Sequence, residues 1–371
     1  MSPSLRSILG AEALAAFEAA GPVARGLPAA AYTSEAFFQL ENERVFARSW
    51  VFAGFAHELA RPGDVVPITV AGRPVLLVRD GESAVRAFHN VCRHRCLKLV
   101  EKPGNVGPAI QCPYHSWTYR LDGALHIAPY FGGDSPRAMP EGFDRAAHGL
   151  VPVRVAVWHD WVFVNLSGDA PAIEEFVAPL QKHLAGFDLS RMKHVITVDL
   201  GEIAANWKLL MENFIEPYHV PFVHAATTEQ PLADHYTVNE PGCLGCAVDV
   251  SAEARRDDTL SADSRYLTLF PNFVLGLYLP DQVGVHLDVP LAPGRTGQRR
   301  AIYSLGPEPV SAEEAEALAR LWRDVHEEDQ AICEGLQRGR ASAVADDGGV
   351  LSPHWEDAVR SFQERVLSRL R

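Results

Sequence analysis

The chain has 371 residues, 47% hydrophobic and 22% charged, with a formal net charge of −13. That length accommodates two domains with a substantial core, while the acidic balance excludes nucleic acid as the main partner, because phosphate binding needs a basic surface. Six cysteines are too few for a secreted disulfide framework, no apolar run is long enough to span a bilayer, and Glu12 and Glu18 interrupt the apolar start, so the chain reads as cytoplasmic.

Residues 10–20 and 34–48 carry apolar residues at helical spacing, and Ser34 is placed to cap the second segment. From about Trp50 to Leu166 the texture is short strands separated by turn residues. "DVVPITV" and "PVLLVRD" flank "AGR" as a hairpin, and "AVWHDWVFVNL" is an apolar run broken by a turn. Beyond residue 170 helices and strands mix. "NWKLLMENF" (206–214) reads as a helix, "YLTLFPNFVLGLYL" and "VGVHLDVPLA" as strands, and 311–338 as helix-rich. The β block therefore looks inserted into an α+β domain.

The β block contains Cys92-Arg93-His94, seventeen further residues, then Cys112-Pro113-Tyr114-His115. Two thiolates and two imidazoles suit tetrahedral zinc or a Rieske [2Fe–2S] centre, in which two Cys hold one iron and two His the other. A zinc finger usually pairs Cys with Cys and His with His along the chain. Here each loop supplies one of each, as two irons shared by two loops require.

A second constellation lies in "NWKLLMENFIEPYHVPFVH" (206–224). On a continuous helix Glu212, Glu216 and His219 share one face; His224 follows beyond Pro221. Two His framed by carboxylates match two-thirds of a 2-His-1-carboxylate iron site. The third ligand must come from elsewhere, and "HEEDQAICEGLQRG" (326–339) offers Asp329, four residues before Cys333 and eight before Gln337. By itself the run Asp324, Glu327, Glu328, Asp329 is a solvated helix face; the need for one carboxylate selects Asp329.

The segments "NVCRHRC" and "CPYHSWTYRLDGAL", with the His–His–Asp set, resemble those of the catalytic α subunit of Rieske non-haem iron oxygenases, from about residue 35 to 340. The resemblance implies an α+β fold with an all-β Rieske domain (45–166) inserted in a helix-grip-like catalytic domain (167–371), on which residues 1–44 pack. It implies a [2Fe–2S] cluster on Cys92, His94, Cys112 and His115, and mononuclear Fe(II) on His219, His224 and Asp329. Glu216, three residues before the first iron His, is then the carboxylate linking the two centres, accepting from His219 and from His115 of the partner subunit in a head-to-tail homotrimer. Cys96 stands where oxygenases usually have Gly and reads as a small packed residue, since Tyr114 occupies the place of a disulfide partner.

No Gly-rich dinucleotide fingerprint and no second iron–sulfur pattern occur, so a separate NAD(P)H-dependent reductase or ferredoxin must supply electrons. Arg93, Arg95, Lys98 and Lys102 are candidates for docking it. Glu rather than Asp at 216 is shared with relatives that oxidise quaternary ammonium compounds, although those tend to read "ECYHC" where this chain reads "EPYHV". The expected reaction is O2-dependent hydroxylation of a small substrate, with oxidative N-demethylation or C–N cleavage of a methylated amine as its specific form. Mono- or dihydroxylation of an aromatic or alicyclic ring is the alternative. Tyr266, Phe270, Phe273 and Tyr278 are available for a cation–π cage. The Cys243/Cys246 pair lacks metal-ligand partners and stays unassigned; the other histidines, His286 and His326 among them, read as structural or surface residues.

Overall fold

The chain divides into two units, Phe46–Ile173 and a second built from Met1–Val45 together with Glu174–Arg371. The computed structural model describes residues 4–19, 21–184, 187–228, 230–249, 263–278 and 281–371; Ala20 and Leu279, which end two predicted segments, lie outside them.

In Phe46–Ile173 an antiparallel sheet runs in the order Val51–Phe55, Trp161–Asn165, Pro152–Trp158, Val85–His89, Arg73–Arg79, Asp64–Val70, Gly104–Asn105. The predicted hairpin is present, with Val70 paired to Arg73 across Ala71-Gly72. Both turn residues take positive φ, +50° and +70°, the backbone that two-residue hairpins need for strand twist. A smaller sheet, Ala109–Gln111, Thr118–Arg120 and Leu125–Ile127, carries Cys112 in its first connection. Val65, Leu76, Val78 and Phe88 pack with Ile110, Tyr119 and Leu125, so one apolar cluster underlies both sheets.

The second unit centres on an antiparallel sheet in the order Lys193–Ile203, Arg295–Ser304, Gln282–Ala292, Phe273–Tyr278, Ser264–Leu269, Cys243–Val248, His235–Glu240. Phe273–Tyr278 is buried along its whole length, which explains its unbroken apolar sequence: both faces are covered. The helix Trp207–Ile215 packs against three of these strands and against the helices Ala312–Gly339 and Asp357–Leu370. Ser34 caps Glu35–Glu41, accepting from the Phe37 amide at 3.3 Å. A fully buried ion pair, Lys208 Nζ to Glu41 Oε1 at 2.7 Å, ties that N-terminal helix to Trp207–Ile215.

One expectation fails here. The helix bearing Glu212 stops at Ile215, and Glu216 is extended (φ −116°, ψ 141°), so Glu212, Glu216 and His219 do not share a helical face. The cause is Pro217, whose ring disfavours helical backbone at the residue before it. A separate short turn, Val220–Val223, then begins directly after His219.

Candidate active site: two metal-binding constellations

The two cluster loops are built alike. The Cys92 amide donates to Leu97 O and the Cys112 amide to Trp117 O, each at 2.8 Å, five residues on. Four residues after each Cys the backbone is left-handed, φ +59° at Cys96 and +55° at Ser116. This explains the preference for Gly at the Cys96 position. It also corrects the packed reading, because Cys96 is an exposed free thiol.

The Cys side chains are buried, 1% and 3% exposed, whereas His94 is half-buried and His115 exposed. The imidazole centroids lie 4.7 Å apart, and His94 stacks on Trp117 at 5.0 Å. Two thiols at the buried end and two imidazoles at the outer end fit the donor set of a Rieske centre better than that of a compact four-ligand ion. Two supports were not legible in the sequence. Tyr119 OH accepts from the Arg93 amide (2.9 Å) and lies 3.3 Å from Cys92 Sγ, which leaves the phenol proton free to point at the sulfur. Asn90, fully buried, accepts from the amides of Leu99 and Val100 and donates to Val100 O, pinning the base of the first loop.

In the second unit His219, His224 and Asp329 converge, each offering one ligand atom within 4.8 Å of the others. Side-chain contacts of Glu216, Glu328 and Asp329 set this geometry. Glu216 Oε1 sits 2.6 Å from His219 Nδ1, while its Oε2 accepts from the amides of Tyr218 and His219. Glu328 Oε2 lies 2.7 Å from His224 Nδ1 and accepts from Thr227 Oγ1 at 2.7 Å. With both Nδ1 atoms engaged by carboxylates, both Nε2 atoms are left for a metal. Asp329 Oδ1 lies 3.0 Å from His224 Nε2 and 3.6 Å from His219 Nε2. It is nevertheless a buried oxygen without an aligned hydrogen-bond partner. A buried carboxylate oxygen converging on two imidazole Nε2 atoms fits a cation between them.

The electrostatics agree. Burial opposes charge on His224, but Asp329 and Glu328 outweigh it and carry its pKa up to about 9. Burial would raise Asp329, yet His224 and His219 hold it below the ordinary carboxylate value. A negative site that draws a proton onto His224 also draws a divalent cation, which competes with that proton.

The long helix delivers Asp329 because of the residues that follow it. Ser311 and Glu314 form a capping box at its start. Asp329, Cys333 and Gln337 form one stripe at steps of four. Gln337 Oε1 accepts from the Asn206 amide (2.9 Å), Glu334 Oε1 from the Ala204 amide (3.2 Å), and Cys333 Sγ lies 3.7 Å from Leu209 O. These contacts dock the helix on the start of Trp207–Ile215. Glu328 was read as solvated face; one position before Asp329, it turns toward His224 instead.

A small cavity opens beside the triad, lined by Phe214, Tyr266, Tyr278, His286, Trp322 and Arg300 among others. Of the four proposed cage aromatics, Tyr266 and Tyr278 line it. Phe270 packs instead on Phe362 (5.9 Å), and Phe273, five residues from Tyr278 on one strand, faces the opposite side of the sheet. Two histidines set aside in the sequence lie here. His286 lines the cavity, fully buried and kept neutral, its pKa pushed well down by burial and by Arg300. His326, one turn before Asp329, is held at about 4, chiefly by burial. Cys246 also lines the cavity, and burial pushes its thiol up, so it stays neutral.

Residues 49–134 match the Rieske [2Fe-2S] domain, and residues 187–371 match the ring hydroxylating alpha subunit (catalytic domain). The chain belongs to the Rieske non-haem iron oxygenases. It is 29% identical, over 93% of its length and 86% of the relative's, to the glycine betaine monooxygenase oxygenase subunit of Chromohalobacter salexigens. It is 29% identical to the carnitine monooxygenase oxygenase subunit of Escherichia coli K12, over 85% of this chain and 84% of that one. In structure it is similar to the quaternary ammonium Rieske monooxygenase CntA in complex with L-carnitine, with a TM-score of 0.79 and 26% identity over 94% of this chain and 96% of that one. A Rieske oxygenase of this kind is an oxidoreductase that uses a [2Fe–2S] cluster and mononuclear iron, with electrons supplied by a reductase or ferredoxin.

Proposed function

We propose that this Rieske oxygenase oxidises a methylated amine, removing an N-methyl group or cleaving a C–N bond. The mononuclear iron is assigned to His219, His224 and Asp329 and the cluster to Cys92, His94, Cys112 and His115. The observation that carries the iron assignment is the convergence of Asp329 Oδ1 on two imidazoles, 3.0 Å from His224 Nε2 and 3.6 Å from His219 Nε2, whose other nitrogens are taken by Glu216 and Glu328. The substrate class is supported by relatives named for glycine betaine and carnitine, and by a triad-side cavity with aromatic walls.

When bound, the iron supplies activation of O2 at positions the three protein ligands leave open. The protein's own part is geometric. Glu216 and Glu328 hold the Nδ1 protons of His219 and His224 and so fix the ring tautomers and directions. Phe214, Tyr266 and Trp322 give the space beside the triad its aromatic walls. Tyr119, which receives the Arg93 amide, directs its phenol proton at Cys92 and stabilises a thiolate there. Glu216 is assigned the link to His115 of the partner subunit in a homotrimer of the cytoplasm, fed by a separate NAD(P)H reductase or ferredoxin.

A single-turnover experiment tests this. The iron-replete protein is reduced chemically, mixed with O2 and one candidate substrate, and its products are identified by mass spectrometry. Formaldehyde with a demethylated amine, or cleavage at the C–N bond, is the expected outcome. A hydroxylated ring compound with all amines untouched overturns the reading.

A further inference from the structure

The cavity beside the triad contains a buried cation that nothing in the iron chemistry uses. Arg300 is 3% exposed and lines this cavity. Its one hydrogen bond to a described residue runs from Nη2 to Tyr278 OH (3.1 Å), and its buried Nε has no partner. No carboxylate among the described residues forms an ion pair with it. The guanidinium carbon lies over Trp322, 3.7 Å from the ring centroid, and 5.6 Å from that of Tyr278. The sheet leaves room for this placement: a side chain at Gly284 would meet Arg300 Nη2 at 2.6 Å, and one at Gly276 would meet Tyr278 OH at 2.6 Å. The histidine paired with it across the two strands, His286, is kept neutral by burial and by Arg300, so Arg300 is the cation of this pair.

A buried guanidinium with a free donor edge is costly unless an anion completes it, and its planar fork matches a carboxylate. Arg300 also occupies the Trp322 face, and lies beside Tyr278, where a cation–π cage would otherwise place a substrate ammonium. A substrate that is only a cation would meet a positive charge there. One carrying both an ammonium and a carboxylate would have an anion for Arg300, with Phe214 and Tyr266 as aromatic walls for its ammonium in the same cavity.

We propose that Arg300 is a specificity-determining residue that binds the carboxylate of the substrate, so that the enzyme takes zwitterionic amino-acid betaines and rejects carboxylate-free analogues such as choline. The proposal deepens the methylated-amine reading and rests on it only for the ammonium half.

The test is anaerobic titration calorimetry of the iron-loaded, full-length enzyme with four probes: glycine betaine, its methyl ester, choline and benzoate. Wild type is expected to bind glycine betaine at least about 100-fold more tightly than the ester or choline, the size of effect seen when one partner of a buried charged pair is removed. Arg300→Gln is expected to abolish that preference, and Arg300→Lys to retain part of it, with the cluster's visible spectrum unchanged in both. The ester comparison needs no variant, so it stands even where a substitution at this buried site impairs folding. Equal binding of glycine betaine, ester and choline by wild type overturns the assignment, as does an Arg300→Gln protein that keeps the wild-type preference. Benzoate binding that depends on Arg300, without binding of any amine, upholds the carboxylate role and overturns the methylated-amine reading.

Discussion

The two constellations assigned to the cluster and the iron are held in opposite ways. The cluster ligands sit on two turns separated by a short span of chain, each closed by its own Cys amide five residues on and each with a left-handed residue at the same place. The iron triad joins His219 and His224 to an aspartate more than a hundred residues away, and its geometry depends on one helix being docked on another. Local backbone closure makes the first site self-supporting, whereas the second is only as well placed as its distant anchors. Four substitutions can break or sharpen this contrast.

The largest effect is expected from His219→Ala. It should reduce turnover below detection and remove the mononuclear iron, while the cluster's absorption and EPR signals persist. Coupled loss of both metals, measured by iron analysis beside the spectrum, would contradict independent holding. Next comes Lys208→Met, which leaves Glu41 buried without its partner and should cost about 3–5 kcal/mol in urea unfolding of the catalytic unit. The cluster spectrum should persist through that transition, and replacing Glu41 by Leu as well should recover most of the loss.

Glu328→Gln is expected to be smaller. It weakens the hydrogen bond that orients His224 and should lower iron affinity by about 10–100-fold, read by competition with a chelator. The smallest change is Cys96→Gly, which removes a left-handed non-glycine residue (φ +59°). It should stabilise the cluster loops by about 1 kcal/mol without altering iron occupancy, measured as the temperature at which the cluster bleaches.

Much of this protein is written locally. The Cys-x-His and Cys-x-x-His loops, the Ser34 cap and the 64–79 hairpin follow from short-range rules of ligand spacing, capping and turn chemistry, and each appears in the structure. Pro217 was equally visible, and its effect on Glu216 could have been read from the Glu-Pro step alone. The helical face drawn through Glu212, Glu216 and His219 ignored it.

What only the tertiary structure decided are the relations between segments far apart in sequence. The contact of Glu328 with His224, the docking of Gln337 and Glu334 on residues 204–206, and the burial of Lys208 against Glu41 all pair residues more than a hundred apart. Nothing in periodicity shows which charged residue of a helical run turns inward, because that depends on what the helix meets. Arg300 is the clearest case. In the sequence it is the second half of an Arg-Arg pair on a polar-looking strand; in the fold, strand alternation and the room left at Gly284 bring its guanidinium against Trp322 inside the catalytic cavity. Composition and motif spacing pointed to the oxygenase chemistry, and strand pairing and helix docking decided which charges are buried beside it.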